Sequence, residues 1–333
     1  MTAYEPLERF VFDVPALVAD HPPVIHDPNK RAVFEAACPD GCVYAGELGY
    51  SRWRAFPLPE RIDPAVGLAG IATLPTVYTY EPAADMPGAV EWHVNFADPF
   101  LFFAYGTGLF AQDEMMCAEH PVLGSLVEAL RERGHAPVTE EGGAPTPVLV
   151  TGAERRCHVI TAADQAAGRP RGLYGNEFSA ADESVVRAAT TRIDPPTITN
   201  IIAMAAPSYR SGRYARATIE HVLVTAYTGF AAAVAESARP APGASVIIHT
   251  GYWGCGAFGG DRVLMSLVQV LAAGMAGVDR LAFHTVSEAG AAPFEEALRI
   301  VREDLAPAGE MPAAELIDRI DAMAFDWGTS DGT

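Results

Sequence analysis

GYWGCGAFGGD, residues Gly251–Asp261, sits between the apolar run SVIIH (Ser245–His249) and RVLMSLVQVLAAGMAG (Arg262–Gly277). In the second run apolar residues recur three and four apart, the period of a helix, while the first is short and apolar like a buried strand. The glycine-rich stretch is therefore a strand-to-helix connection. Five glycines in eleven residues are entropically expensive, and such a loop persists where the backbone must take positive φ or where something approaches it closely. Its N–H groups and the dipole of the following helix together suit an anion, above all a pyrophosphate. A plain turn would need fewer glycines.

The same alternation continues on either side. VEWHVNF (Val90–Phe96) is apolar at alternate positions and reads as a half-buried strand. A loop with Gly106 and Gly108 follows, then a helix from about Asp113 that Pro121 should break or restart. Thr146–Thr151, Ile198–Ala205, Ser245–His249 and Arg280–Val286 read as buried strands, and Tyr214–Glu236, Arg262–Ala276, Phe294–Asp304 and Ala313–Met323 as helices. This predicts an α/β fold, a sheet covered by helices on both faces. Residues 1–88, rich in proline and aromatics with one helical candidate at Pro28–Ala37, read as an N-terminal extension packed on a main domain of residues 89–333.

The 333 residues carry a formal charge of −19, which opposes sequence-independent binding to nucleic acid. Between Ala153 and Glu220, however, nine Arg meet seven Asp plus Glu, so a short anion could still be held locally. Lys30 is the only lysine, and no GxxxxGK occurs, which excludes a P-loop nucleotidase and leaves a Schiff-base mechanism that one residue. The acidic opening MTAYEPLERFVFD does not resemble a signal peptide. The longest apolar stretches, Val222–Ala235 and Val263–Val278, fall short of a membrane span. Together with five scattered cysteines, expected as reduced thiols, these features point to a soluble cytoplasmic protein.

Two glycine patterns invite comparison with dinucleotide-binding folds. Gly254, Gly256 and Gly259 fit GxGxxG, and Gly106, Gly108 and Ala111 fit GxGxxA. A nicotinamide oxidoreductase is thus one alternative. The first pattern comes late, with one strand left and no well-placed acidic residue about 20 positions on; the second follows its strand only after a long loop. Two glycine-bearing loops, each at a helix start, could instead converge on one diphosphate. Asp113 and Glu114 begin the helix after the loop with Gly106 and Gly108, where acidic residues commonly offset the helix dipole. Beside a diphosphate they would also reach an attached ribose. Cleavage of a ribosyl bond passes through an oxocarbenium-like transition state, and one carboxyl can protonate the leaving oxygen and then take a proton from water. Neighbours on a helix point about 100° apart, so the two would have different roles.

At this point the residues resemble a known family. VNFADPFLFFAYGTGLFAQDEMM (Val94–Met116) is similar to the catalytic signature of the poly(ADP-ribose) glycohydrolases, a VDFAN strand, a glycine run and Gln-Glu-Glu. GYWGCGAFGGD is similar to that family's GNWGCGAFGGD, and IIAMAAPSYRSGRY, AYTGF and SLVQVLAAGMA extend the likeness over about Val90–Val286. The resemblance implies a macrodomain-like mixed sheet, ADP-ribose or an ADP-ribosylated macromolecule as ligand, and neither cofactor nor metal. It implies Glu114 as catalytic acid with Asp113 beside it holding the ribose. Asn95, Asp98 and Gln112, with Gly251, Tyr252, Trp253, Gly254, Cys255, Gly256, Ala257, Phe258 and Gly259, would bind substrate, and Tyr174 or Phe178 would stack near it. The family's three consecutive glycines fall on Phe102, Phe103 and Ala104, which would narrow the pocket. Asn95, Asp98, Asp113 and Tyr252 also depart from the family's residues. A module that binds ADP-ribose without cutting it is therefore the main alternative to a glycohydrolase.

Outside these motifs, Cys38 and Cys42 lack a second pair at zinc spacing. Cys255 has no evident histidine partner, and His93, His221, His249 and His284 read as satisfied core histidines.

Overall fold

The flanks of the glycine loop take the forms their patterns predict, a strand over Val246–Thr250 and a helix over Arg262–Ala276. The structure, a computed structural model, describes residues 5–40, 42–208 and 211–332; Tyr209 and Arg210 of the IIAMAAPSYRSGRY segment lie outside them. The strands are β1 (Glu8–Asp13), β2 (Glu47–Arg52), β3 (Arg61–Ile62), β4 (Ile71–Leu74), β5 (Val90–Ala97), β6 (Glu140–Glu141), β7 (Ala144–Pro145), β8 (Val148–Val159), β9 (Thr190–Ala205), β10 (Val246–Thr250), β11 (Arg280–His284) and β12 (Met311–Pro312). The helices are α1 (Val14–Asp20), α2 (Pro28–Ala37), α3 (Gln112–Glu119), α4 (Val122–Glu132), α5 (Glu177–Ala180), α6 (Glu183–Ala189), α7 (Arg216–Ser237), α8 (Arg262–Ala276), α9 (Ala292–Arg299) and α10 (Ala313–Ala322). A single eight-stranded sheet runs in the order β1-β2-β8-β9-β5-β10-β11-β4. From β9 to β4 neighbours are parallel, and from β9 to β1 they are antiparallel. This is the mixed α/β sheet that the sequence leads one to expect.

The period of two along each strand divides the core. Trp92 and Val94 of β5, with Ile202 and Met204 of β9, face a cluster built with α7, α8, α9 and α10. Ala97, Ile201 and Ala203 face the opposite cluster, built with α1, α3 and α4. A third cluster lies where α2, α3 and α6 meet the far ends of β8 and β9. Helices cover both faces. By length and composition α7 could cross a bilayer, against the expectation of no such stretch, but here it packs on the sheet and α8 with most of its residues buried.

Residues 5–88 contribute β1, β2 and β4 to the main sheet. α2 occupies the predicted span, started by Asp27, whose carboxylate accepts from the Lys30 N–H at 2.9 Å, and by Pro28 in its first turn. β8 and β9 outrun their predicted lengths. Their extra halves, ERRCHV and TTRIDPPT, are too polar to read as buried strands, yet they pair with each other through Cys157↔Arg192 and Val159↔Thr190. One cysteine expectation is corrected. Cys38 and Cys42 form a disulfide at the end of α2, where the chain turn brings their Cα atoms to 5.5 Å, while Cys117, Cys157 and Cys255 are free and buried.

Candidate active site

In β5, β9 and β10 the parallel pairing aligns the C-terminal ends, as in Ala97↔Ala205. The loops leaving them therefore emerge at one edge of the sheet, the usual ligand edge of parallel α/β folds. A Cβ added to Gly251 would lie 3.5 Å from the Phe96 ring, so the glycine loop starts against the end of β5.

Gln112 fastens α3 to that edge. Its Oε1 accepts from the Phe96 N–H at 2.8 Å and its Nε2 donates to the Val94 carbonyl at 3.0 Å. Its amide is thus engaged by backbone, so its part is to position α3 rather than to bind substrate as first read. Asn95 and Asp113 are buried together, with Asn95 Nδ2 donating to Asp113 Oδ1 at 3.0 Å while Asn95 Oδ1 has no partner. Glu114, only 5 % exposed, accepts from the Ala111 N–H at 3.0 Å. Burial, then the charge of Glu114, pushes the Asp113 carboxyl well above its usual range; burial also raises Glu114 despite Lys30 and two backbone N–H bonds. Asp98 adds like charge to both, and its own Oδ1 accepts from the Phe100 N–H at 2.9 Å. The pair therefore holds a proton to higher pH than isolated carboxyls do.

Lys30 was not among the residues expected at this site. It is fully buried on α2, its Nζ donates to the Leu109 carbonyl at 2.7 Å, and its ammonium lies 4.9 Å from the centre of the Phe110 ring. The carboxylates of Glu114, Asp113 and Asp27 face it. A signal was available in the sequence, since the only lysine stands on the apolar stripe of α2 with Val33 and Ala37.

In the glycine loop Gly254 and Gly259 take φ of 73° and 58°. A Cβ on Gly254 would sit 2.4 Å from the Ala206 Cβ, which explains that glycine by close approach. The internal turns consume the N–H groups of Trp253, Cys255, Gly259 and Gly260 but not those of Gly256, Ala257 or Phe258. Asp261 caps α8 by accepting from the Leu264 N–H at 2.8 Å, so an anion would meet the loop rather than that helix N–H. Trp253 is corrected from ligand contact to anchor: fully buried, it donates from Nε1 to the Met204 carbonyl at 2.9 Å. Cys255 is buried too, and burial pushes its thiol up, against a nucleophilic role. The Tyr252 hydroxyl bonds the Gly290 carbonyl, and Arg262 stands 5.0 Å from its ring centre.

Of the two candidate clasp aromatics, Phe178 is corrected to core, fully buried and stacked on Phe110 at 4.0 Å. Tyr174 is 41 % exposed, and its hydroxyl feels the charges of Asp331 and Glu114. The expected narrowing by phenylalanines resolves differently. Phe102 takes φ of 51° and turns into the core with Leu101 and Tyr105, while Phe103 points to solvent. On the sheet face shared with Asn95, His249 bonds His284 at 3.0 Å and Glu91 at 2.8 Å, as satisfied core histidines should; both ring nitrogens of the buried His93 lack partners.

Against known proteins, residues 150–292 match the family model described as poly(ADP-ribose) glycohydrolase, macro domain fold. That span holds the glycine loop and Tyr174 but not Asp113 and Glu114. No curated protein matches the sequence. Among solved structures, a poly(ADP-ribose) glycohydrolase from Thermomonospora curvata bound to the inhibitor ADP-HPD is 17 % identical, with 86 % of this chain and 97 % of that one covered at a TM-score of 0.43. One from Deinococcus radiodurans in complex with ADP-ribose is 15 % identical, with 89 % and 95 % covered at a TM-score of 0.42. Overlaps this loose transfer no residue or ligand position. The sequence match makes residues 150–292, less than half of the chain, similar to the macro domain fold of the poly(ADP-ribose) glycohydrolases.

Proposed function

We propose that the protein is an ADP-ribosyl glycohydrolase that cleaves the bond between a distal ribose and its attachment and releases ADP-ribose. The observation that carries this reading is the Asp113–Glu114 pair, buried and proton-retaining at the sheet edge that also bears the glycine loop. Glu114, in its acid form, protonates the leaving oxygen as the anomeric carbon–oxygen bond breaks. Its carboxylate then takes a proton from the water that adds to the oxocarbenium ion. Asp113, held by Asn95, fixes the ribose hydroxyls. The N–H groups of Gly256, Ala257 and Phe258 receive the diphosphate. Tyr174 closes the ribose side. That titratable groups with shifted protonation gather in one place supports an enzyme over a passive module.

The net charge of −19 supports a discrete nucleotide ligand over nonspecific nucleic acid. Glu114→Gln keeps the acceptor for Ala111 but cannot donate as an acid, so the variant should bind ADP-ribose in calorimetry and release none from modified protein. If wild-type protein binds ADP-ribose and never releases it from any substrate, the non-cleaving module is the correct reading.

A further inference from the structure

Lys30 lies fully buried in α2, and its ammonium is spent on a loop carbonyl and two aromatic faces. It donates to the Leu109 carbonyl at 2.7 Å and lies 4.9 Å and 5.6 Å from the ring centres of Phe110 and Phe178. Leu109 and Phe110 immediately precede Ala111, whose N–H holds Glu114. The same ammonium faces Asp113, Glu114 and the Cys117 thiol on α3 and Asp27 at the start of α2, while Asp98 and Tyr174 are further titratable groups near the carboxylates. Burying a lone ammonium is expensive, so a chain with one lysine gains little by placing it here unless the carboxylates use its charge.

We propose that Lys30 is a positioning residue for the hydrolysis, tying the Leu109–Ala111 segment in place and supplying the positive charge that governs when Glu114 gives up its proton. This rests on the glycohydrolase reading for its consequence, but not for its electrostatics. With Lys30 charged, Glu114 ionises more readily; without it, the two carboxyls face each other and the proton stays on longer. Burial, against the pull of Glu114, Asp113 and Asp27, lowers Lys30 itself to about 8, so its charge is present through neutral pH.

The chain's single lysine makes this directly measurable, because protein grown with ε-13C-lysine gives one side-chain resonance. The signal should titrate near pH 8 in the wild type and at lower pH in Glu114→Gln, which removes a charge that favours the ammonium. A signal titrating near 10.4, as in exposed lysine, and indifferent to Glu114→Gln would overturn the coupling whatever the enzyme does. With hydrolysis followed, Lys30→Met should move the alkaline limb of kcat/KM up by about one pH unit. Lys30→Arg, which keeps the charge, should leave the limb in place even where kcat falls. A limb unmoved in a folded Lys30→Met protein means that Lys30 only fills space. Coupled titration without turnover would keep the Lys30 assignment and reject glycohydrolysis.

Discussion

The two ends of α3 each bury carboxylate, and they behave oppositely. At its last residue Glu119 is 4 % exposed, yet it is met by Arg155 at 2.8 Å, His158 at 3.2 Å and the Val159 N–H at 3.0 Å. Burial alone would raise Glu119, but His158, Arg155 and the backbone outweigh it and hold it below the usual range. About a turn and a half earlier Asp113 and Glu114 are as deeply buried, with the Asn95 amide and the Cys117 thiol on Asp113, backbone N–H groups on Glu114 and the shared charge of Lys30 between them, and both are raised. Burial does not distinguish them; partners do. A satisfied carboxylate holds the fold, whereas an under-compensated pair is retained against the stability of the fold and is what proton transfer needs.

Substitutions at each end can break or sharpen that contrast. The largest effect expected is on turnover, where Glu114→Gln should lower kcat by about 10²- to 10⁴-fold in an ADP-ribose release assay. At the other end Arg155→Met strands Glu119 and should destabilise by about 3–5 kcal/mol in urea titration, with the turnover of the folded fraction preserved. In the facing loop Gly254→Ala must force a Cβ against Ala206 at positive φ and should cost roughly 1–3 kcal/mol together with ADP-ribose affinity. Asp113→Asn, which keeps the acceptor for Asn95 and removes like charge, should stabilise by about 1 kcal/mol; a loss instead would mean Asp113 is as well partnered as Glu119.

The pH dependence separates the ends most cleanly. Glu119 is lowered in the folded state, so its contribution is present above its unfolded pKa of about 4.3 and is lost as pH falls through the lower folded value. The Arg155→Met deficit should therefore be full at neutral pH and shrink in acid. Asp113 and Glu114 are raised, so their contribution is present below the unfolded carboxyl pKa and is lost as pH rises through the folded value. The gain from Asp113→Asn should accordingly grow with rising pH. Parallel stability profiles for the two variants would remove the distinction.

Much of this was readable in advance where one segment carries its own pattern. α2 and α8 fall on their predicted spans because capping and apolar period are local. β1, β2 and β4 went unread, since ERFVFD, ELGYSR and IATL are short and two of them lie at the sheet edges, where half-exposed residues blur alternation. The arms of β8 and β9 were missed because their residues are polar, although the sheet interior buries Glu154, Arg155 and Arg156. Trp253 and Phe178 were assigned to ligand by position in or near a motif, although only packing decides which way a large aromatic turns.

The sequence alone determined that a glycine loop joins a buried strand to a helix and that two acidic residues open another helix after a strand, because period and glycine content are properties of neighbouring residues. Which buried carboxylate is neutralised was decided by tertiary structure. The contacts responsible join residues far apart in the chain, Lys30 to Leu109 across 79 positions and Arg155 to Glu119 across 36. Charge compensation acts through space, and no local pattern encodes which cation arrives.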